Sequence, residues 1–272
     1  MAGDLTGKVV LITGATDGLG RGTAVALAQR GATVLIHGRD RARGDTVLAE
    51  LQAAGCPDAR LYLADFGGLA DIRRVADAIL ANEPRLHVLV NNAGIIQDQR
   101  QESADGHELT FQVNYLAGFL LTHRLLPLLK RSTPSRVVNV ASAGQAPIAF
   151  DDIMLERRWD GWLAYCQSKL AQVMMTFDHA EELTGTGVTA NALHPATLMP
   201  TKMVVGRFGV QSTLEEGMRN TVRLIADPAL ANVSGRYFNR DQEAQAHRQA
   251  YDVAARARLG ELSRDLSGLA EQ

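Results

Sequence analysis

Short apolar runs alternate with longer amphipathic or Ala/Leu-rich stretches along the chain. Most of the short runs contain almost no polar position, a pattern typical of strands that helices cover on both faces. The predicted strands are Val9 to Thr13, Thr33 to His37, Arg60 to Ala64, His87 to Asn91, Val137 to Ser142 and Val188 to Leu193, with a seventh at Gly235 to Phe238. The predicted helices are Leu19 to Arg30, Arg41 to Ala54, Leu69 to Ala81, Leu109 to Lys130 and Tyr165 to Leu183.

This alternation indicates repeated βαβ units that form a parallel sheet. The predicted fold class is therefore α/β, a doubly wound parallel sheet of the Rossmann type with about seven strands. The sequence shows no internal repeat and no low-complexity linker, so residues 1–272 are predicted to form a single domain. In such sheets ligands bind beyond the carboxyl ends of the strands, which makes residues at those ends candidates for a functional site.

Two segments interrupt the alternation, at about 143–161 after the fifth strand and at about 197–218 after the sixth. Both leave from the carboxyl edge of the predicted sheet. Both carry apolar or aromatic residues, among them Phe150, Trp159 and Phe208. We expect the two segments to form a small substrate lobe.

The composition narrows the class of protein. Hydrophobic residues make up 46% of the chain and charged residues 21%, which suits a globular protein with a large core. The formal net charge is -2 and no long basic run occurs, so neither nucleic acid nor an anionic membrane is an expected partner. Cys56 and Cys166 lack the spacing of metal ligands or of a disulfide framework, and the sequence predicts no metal site.

The N-terminus shows no basic and apolar leader pattern. The apolar run Val9-Val10-Leu11-Ile12 is far shorter than the roughly 20 residues of a membrane span. The expected protein is soluble, with reduced thiols, and cytoplasmic.

A glycine-rich turn, Gly14-Ala15-Thr16-Asp17-Gly18-Leu19-Gly20, joins the first predicted strand to the first helix. Missing side chains let the backbone turn sharply and approach a pyrophosphate at the helix N-terminus. The spacing G-x-x-x-G-x-G differs from the commoner G-x-G-x-x-G fingerprint. Its position in a βαβ unit favours a dinucleotide site over an ordinary connecting turn.

The residues after the second strand indicate which dinucleotide binds. NAD sites usually place an acidic residue about 20 residues beyond the glycines, whereas NADP sites place an arginine near the 2′-phosphate. Here Gly38 stands at the acidic position and Arg39 follows it. The sequence therefore favours NADP(H), and Asp40 is assigned to the N-cap of the next helix rather than to the ribose.

Tyr165 and Lys169 lie four residues apart in a helical pattern, which places both side chains on one helix face. The same spacing occurs by chance on many solvated helices, so it carries little weight alone. The interpretation of Tyr165 and Lys169 as a functional pair is supported by other polar residues. These are Ser142 at the end of the fifth strand, Asn114 in a long helix and Asn91-Asn92-Ala93-Gly94 after the fourth strand.

Together these motifs resemble the short-chain dehydrogenase/reductase family from about Gly7 to Pro195. The stretch from Phe150 to Lys169 resembles the branch that includes retinol dehydrogenases, protochlorophyllide reductases and bacterial ketoreductases. The resemblance implies that Tyr165 is the general acid or base and that Ser142 binds the substrate oxygen. It also implies that Lys169 binds the nicotinamide ribose and, with the positive nicotinamide, lowers the pKa of Tyr165. Asn114 would anchor a water that leads protons to solvent.

The resemblance further implies a set of cofactor contacts at the strand ends and in the loops that follow them. They are Gly14, Thr16, Asp17, Gly18, Leu19, Gly20, Arg39, Asp65, Phe66, Asn92, Ala93, Gly94, Tyr165, Lys169, Pro195, Thr197 and Thr201. Asp65 would contact the adenine, although a cap on the next helix is an alternative role. Two positions depart from the family pattern, Ala196 where glycine is usual and His87 where Asp is frequent. Neither replaces a reacting group.

The implied function is an NADP(H)-dependent oxidoreductase that transfers hydride between nicotinamide and a hydrophobic ketone, aldehyde or secondary alcohol, as a ketoreductase does. Reduction of an activated C=C bond and a non-catalytic NADP-binding regulator stay open as alternatives, although an idle regulator has no need of the acid/base groups. His194 and Cys166 are assigned to packing. Met174, Met175 and Phe177 are assigned to the core or to the subunit interface of a homo-oligomer, whose existence the sequence leaves open.

Overall fold

One sheet of eight strands runs through residues 4–269, the part of the chain described by this computed structural model. The strands are β1 (Val9–Ile12), β2 (Thr33–Gly38), β3 (Arg60–Leu63), β4 (Val88–Asn91), β5 (Ser135–Val140), β6 (Val188–His194), β7 (Arg236–Asn239) and β8 (Gln242–Glu243). The helices are α1 (Gly18–Ala28), α2 (Arg41–Ala53), α3 (Leu69–Asn82), α4 (Leu109–Phe111), α5 (Ala117–Arg131), α6 (Gly161–Glu182), α7 (Leu214–Ala226) and α8 (Val253–Ser267).

The strand order is β3-β2-β1-β4-β5-β6-β7-β8, and every neighbouring pair is parallel except β7 with β8. The direction of winding reverses between β1 and β4, where Val10 pairs with Val88. Such a reversal opens a crevice beyond the carboxyl ends of the two strands. The predicted fold class is confirmed. The eighth strand was not predicted because its two residues are exposed and polar and carry no apolar pattern.

Two layers of helices cover the sheet because successive strand residues point to opposite faces. Val10 and Ile12 pack into a cluster with apolar residues of α1, α2 and α7. Leu11 packs on the other face with residues of α3 and α5, next to a third cluster centred on α6. Burial on both faces explains why the strands read as continuous apolar runs.

The long helix predicted at Leu109 to Lys130 is divided into three parts. The single turn α4 leads into a π-helical segment, Gln112–Leu116, which continues as α5. Apolar periodicity does not distinguish these helix types here, because nearly every position from Thr110 to Thr122 is buried and the stretch shows no separate polar face. Wide turns of this kind often occur at functional sites, and Asn114 lies in this one.

Two other boundaries differ from the sequence expectation. Helix α6 begins at Gly161, four residues before the predicted start, because the Asp160 side chain caps it and accepts a hydrogen bond from Leu163 N at 2.7 Å. The segment predicted at 197–218 ends inside α7, which begins at Leu214 with Thr213 as its N-cap. Both caps sit in segments whose irregular hydrophobic pattern gave no helical signal. Helices α7 and α8 were not predicted.

Among residues 4–269, no helix combines the length and the apolar character that crossing a bilayer requires. Cys56 and Cys166 are both buried and unpaired with each other.

Candidate active site

A cleft of about 1080 Å³ lies beyond the carboxyl ends of the central strands. The glycine turn, the loops after β2 to β6 and the first turns of α6 border it. Every residue predicted to contact the cofactor lines this cleft, and so does Ser142. Asn114 does not line it and is 1% exposed behind it. The sequence motifs therefore converge on one concave surface.

Two glycines of the turn, Gly14 and Gly20, lie too close to their neighbours to carry side chains. Gly14 has a φ of +63°, and a Cβ atom there would lie 2.8 Å from Cα of Ala93. A Cβ on Gly20 would lie 2.5 Å from the carbonyl oxygen of Gly14. The bare backbone between β1 and α1 therefore forms a cradle that faces the cleft, which suits a pyrophosphate at a helix N-terminus.

Side chains from two other loops fix the cradle in place. The Asn92 side chain donates a hydrogen bond to the carbonyl oxygen of Thr13 at 2.7 Å. The Thr13 hydroxyl accepts hydrogen bonds from the backbone N–H groups of Asn92 and Ala93 at 2.9 and 3.0 Å. These bonds tie the loop after β4 to the end of β1, so the Asn-Asn-Ala-Gly motif positions the glycine turn.

Asp17 caps α1 by accepting a hydrogen bond from Gly18 N at 2.8 Å. Lys202, from the segment after β6, pairs with the same carboxylate and lowers the pKa of Asp17. Thr201 lies beside the turn, since a Cβ on Gly18 would lie 3.4 Å from its methyl group. The segment after β6 therefore covers the glycine turn and places the Lys202 ammonium beside it.

The end of β2 has no room for an acidic side chain. A Cβ atom on Gly38 would lie 2.4 Å from the methyl group of Thr16. The next residue, Arg39, is exposed and lines the cleft. Asp40 is the N-cap of α2 and accepts a hydrogen bond from Arg43 N at 3.1 Å, which confirms its predicted capping role.

His37 and Asp65 complete this end of the cleft. His37 was not singled out in the sequence, yet its buried ring stacks on Phe66 with the ring centroids 3.9 Å apart. Its Nδ1 accepts a hydrogen bond from Gly14 N at 3.3 Å, and burial lowers the pKa of the ring to about 4. The Asp65 side chain accepts a hydrogen bond from Gly67 N at 2.9 Å and does not cap α3, whose N-cap is Gly68.

Ser142 is held just beyond β5 by three hydrogen bonds. Its hydroxyl oxygen accepts one from Gly144 N at 3.0 Å. Its carbonyl oxygen accepts two, from the Tyr237 hydroxyl at 3.0 Å and from Nε2 of Gln145 at 2.8 Å. The Ser142 side chain also lowers the pKa of the nearby Tyr165 phenol. Both side chains line the cleft. Tyr237 was missed in the sequence because only the sheet places β7 near Ser142.

Lys169 is 3% exposed and is hydrogen-bonded to two acceptors of the protein. Its Nζ donates hydrogen bonds to the carbonyl oxygen of Val140 at 2.9 Å and to Oε1 of Gln172 at 2.8 Å. It lies 5.6 Å from the centroid of the Tyr165 ring. Burial lowers the pKa of Lys169 to about 7.

The expectation that Lys169 and a bound nicotinamide together lower the pKa of Tyr165 stays a prediction, and in the protein without cofactor burial dominates. Burial raises the pKa of Tyr165 to about 12, and the Ser142 side chain only partly opposes this. The reason is that desolvation disfavours the charged form of both groups. The phenol is consequently protonated at neutral pH and is ready to act as an acid.

Asn114 joins the catalytic helix to the loop after β4. Its amide oxygen accepts a hydrogen bond from Ile95 N at 2.7 Å. Its amide nitrogen donates to the Ile95 carbonyl oxygen at 3.0 Å and to the Ser168 hydroxyl at 2.9 Å. Asn114 therefore positions other parts of the site. Its role as the anchor of a water stays a prediction.

An aromatic wall flanks Tyr165 and was not predicted. Trp162 stacks on Tyr165 with centroids 5.5 Å apart, and Phe208 tilts against Trp162 at 5.6 Å. Trp162 is 46% exposed and Phe208 37%. The spacing of Trp162 and Tyr165, three residues apart on one helix, was an available signal. The meeting of Phe208 with α6 was not, because it depends on the path of the segment after β6.

The remaining candidates are buried. Cys166 is 4% exposed, and Met174, Met175 and Phe177 lie in the cluster around α6, which confirms their assignment to packing. His194 is also buried, but its Nε2 lies 3.0 Å from the Thr197 hydroxyl and its ring reaches the cleft. Burial lowers the pKa of His194 to about 4.

Comparisons with known proteins agree with this arrangement. The family profile described as short chain dehydrogenase matches residues 8–211. Retinol dehydrogenase 11 from Homo sapiens is 37% identical over 277 residues, which cover 97% of this chain and 87% of that protein. A crystal structure of an uncharacterized protein from Mycobacterium paratuberculosis superposes with a TM-score of 0.83 at 30% identity and covers 98% of this chain and 96% of that one. A short chain dehydrogenase from Escherichia coli complexed with NADPH superposes with a TM-score of 0.73 at 27% identity, covering 88% of this chain and 99% of that one.

Proposed function

Because the chain belongs to the short-chain dehydrogenase family, in its retinol dehydrogenase branch, we propose that it transfers hydride between NADP(H) and a hydrophobic ketone, aldehyde or secondary alcohol. The observation that carries the proposal is that Ser142, Tyr165 and Lys169 line the same cleft as the glycine cradle, with Nζ of Lys169 5.6 Å from the centroid of the Tyr165 ring. A proton donor, an oxygen-binding hydroxyl and a dinucleotide cradle thus share one surface.

The proton chemistry follows from the two hydroxyl groups. In the reducing direction the protonated Tyr165 phenol donates its proton to the carbonyl oxygen, while the Ser142 hydroxyl holds that oxygen by a hydrogen bond. In the oxidising direction the same phenol oxygen takes the proton of the alcohol. Nicotinamide, when bound, supplies or accepts the hydride. Lys169, beside Tyr165, stabilises the negative charge that develops on the phenol oxygen.

The cofactor preference rests on the end of β2. Gly38 cannot be replaced by an acidic residue without a clash with Thr16, so the carboxylate that would hold the ribose hydroxyls of NAD is excluded at that position. Arg39 offers a planar guanidinium that can bind a 2′-phosphate through two hydrogen bonds. The similar Escherichia coli structure contains NADPH. These observations favour NADP(H) over NAD(H).

The substrate class rests on the aromatic wall. Trp162 and Phe208 present exposed aromatic surface directly beside Tyr165. Large exposed aromatic side chains at the mouth of a cleft favour apolar ligands because binding removes their surface from water. The resemblance to retinol dehydrogenases agrees with an apolar alcohol or aldehyde. We therefore expect turnover to increase with the apolar surface of the carbonyl compound.

Tyr165→Phe tests the reaction. We expect kcat for NADPH-dependent carbonyl reduction, followed by nicotinamide absorbance, to fall by roughly 10²–10⁴-fold because the proton donor is lost. Binding of NADPH, followed by fluorescence titration, should persist. Unchanged turnover in the variant would contradict the assigned role, and absence of turnover by the wild type across a broad panel of apolar aldehydes and ketones would reject the proposed function.

Arg39→Ala tests the cofactor preference. Loss of a charged hydrogen bond to the 2′-phosphate should weaken NADPH binding by about 1.5–3 kcal/mol, roughly 10- to 150-fold, and leave NADH binding unchanged. Arg131→Ala, which removes an exposed arginine at the end of α5, is the matched control. If the wild type binds NADH as tightly as NADPH, Arg39 does not have the proposed role.

A further inference from the structure

A second cleft, of about 300 Å³, lies between the π-helical segment, α5, α6 and α8. It shares no lining residue with the catalytic cleft. Its polar lining consists mainly of histidines, carboxylates and guanidinium groups on three helices. The catalytic roles assigned above use none of these groups.

Three side chains in this second cleft converge. One ring nitrogen from each of His123 and His179 and one carboxylate oxygen of Glu182 lie within 4.8 Å of one another. His179 and Glu182 are three residues apart on α6, so both lie on one helix face, and His123 reaches them from α5. The two imidazole rings meet edge to face with centroids 5.0 Å apart.

His179 lacks hydrogen-bonding partners although it is buried. It is 1% exposed, and among residues 4–269 neither ring nitrogen has a hydrogen-bond partner. Burial lowers the pKa of His179 to about 3, so the ring is neutral. Buried polar groups are nearly always satisfied, and an unsatisfied one needs an explanation.

His123 is already oriented as metal-bound histidines are. Its Nδ1 lies 2.9 Å from the carbonyl oxygen of Phe119, which can only accept, so Nδ1 carries the proton. Nε2 is then the nitrogen with a free lone pair. Metal-ligating histidines usually donate their other ring N–H to a carbonyl or a carboxylate in this way.

The charge around the second cleft favours a cation. Four carboxylates and two guanidinium groups line it, from Asp178, Glu181, Glu182 and Glu261 against Arg256 and Arg264. Arg256 is engaged by Asp178 at 3.3 Å and Glu181 at 2.7 Å. Arg264 lies 3.7 Å from Glu182 in an exposed pair, which a cation bound by Glu182 would displace at little cost.

We propose that His123, His179 and Glu182 form a binding site for a divalent transition metal of the zinc class. Two imidazole nitrogens and one carboxylate oxygen are a donor set that Zn²⁺ accepts, with a water as fourth ligand. Mg²⁺ and Ca²⁺ prefer oxygen ligands and fit this set poorly. The bound metal links α5 to the C-terminal end of the helix that carries Tyr165 and Lys169, and it stabilises the folded protein.

The test begins with full-length protein stripped of metal by dialysis against a chelator. Titration with Zn²⁺ alone should show saturable binding at one site by calorimetry and should raise Tm, since a ligand that binds only the folded state stabilises it. Co²⁺ alone should give visible absorption bands of a four-coordinate nitrogen and oxygen site. Mg²⁺ should do neither.

The ligand assignment is tested with His123→Gln and Glu182→Gln, two side chains that are less buried than His179. Loss of an outer-shell partner alone typically weakens metal binding by about 10–100-fold, so loss of a ligand should weaken it by more than about 100-fold. Glu261→Gln is the matched control because it removes a carboxylate from the same cleft outside the group of three. Its affinity should equal that of the wild type. Absence of saturable Zn²⁺ binding, or wild-type affinity in both ligand variants, would overturn the proposal.

Discussion

The two halves of α6 differ in whether a buried polar side chain has hydrogen-bond partners. In the N-terminal half, the Lys169 ammonium donates hydrogen bonds to Val140 and Gln172. In the C-terminal half, neither nitrogen of His179 has a partner among the described residues. Both side chains are at most 3% exposed. The first group is held in position before any ligand arrives, whereas the second is satisfied only when one binds.

This difference separates a preorganised site from a site that a ligand completes. Preorganised polar groups lower a reaction barrier because they need no rearrangement when charge develops. An unsatisfied buried group costs free energy until a ligand compensates it. The same helix therefore carries both arrangements about three turns apart.

The largest effect on activity is expected from a substitution in the N-terminal half of α6, where Lys169 is held by hydrogen bonds. Lys169→Met keeps the length of the side chain and removes its charge, so kcat/KM for carbonyl reduction should fall by roughly 10²–10³-fold through lost electrostatic stabilisation. Steady-state assays with NADPH measure this. Lys130→Met, which changes an exposed lysine at the end of α5, should retain wild-type activity. A loss smaller than about tenfold in the Lys169 variant would show that Lys169 does not act on the reaction.

The same variant has a smaller effect on stability, with a defined dependence on pH. Lys169 has a pKa of about 7 in the folded protein and an ordinary value of 10.5 when exposed. Between these values the unfolded chain binds the extra proton, so the wild type gains stability relative to Lys169→Met as pH rises. Between about pH 6.5 and about pH 9.5 the gain should be on the order of 1–3 kcal/mol.

Urea unfolding of the wild type and of Lys169→Met at the two pH values measures this difference in stability. The contributions of all groups that titrate identically in the two proteins cancel in the comparison. A difference that does not change with pH would mean that Lys169 is charged in the folded protein. The Lys130→Met variant should show no such dependence, because its lysine is exposed.

The smallest effect is expected on the free energy of unfolding, from a substitution of His179 in the C-terminal half of α6. In chelator-treated protein, His179→Leu replaces an unsatisfied ring by an apolar side chain of similar size and should raise the free energy of unfolding by about 1 kcal/mol. Gln172→Leu, seven residues earlier on α6, should lower it by about 1–3 kcal/mol because Lys169 loses an acceptor. A higher free energy of unfolding in His179→Leu together with a lower one in Gln172→Leu would support the difference between the two halves of α6. Equal decreases in the two variants would refute it. With saturating Zn²⁺ the advantage of His179→Leu should disappear.

The sequence predicted the chemistry where the residues lie close along the chain or carry a strong local pattern. The glycine turn, the Asp40 cap and the pair Tyr165 and Lys169 depend on neighbours within a few residues. Apolar runs and glycine signals placed seven of the eight strands. The exception, β8, has no apolar residue because it lies at the sheet edge.

The sequence by itself thus determined the fold and the glycine cradle, because helix and strand periodicity and turn geometry act over a few residues. The acid/base roles of Tyr165 and Lys169 came from the resemblance of several motifs to the family and not from their spacing alone. Only the tertiary structure decided that Phe208 meets Trp162, that Tyr237 holds Ser142 and that His123 meets His179. It also decided that burial raises the pKa of Tyr165 and lowers that of Lys169 to about 7. These properties depend on which distant segments exclude water from a group, and burial of that kind has no signature in a local pattern.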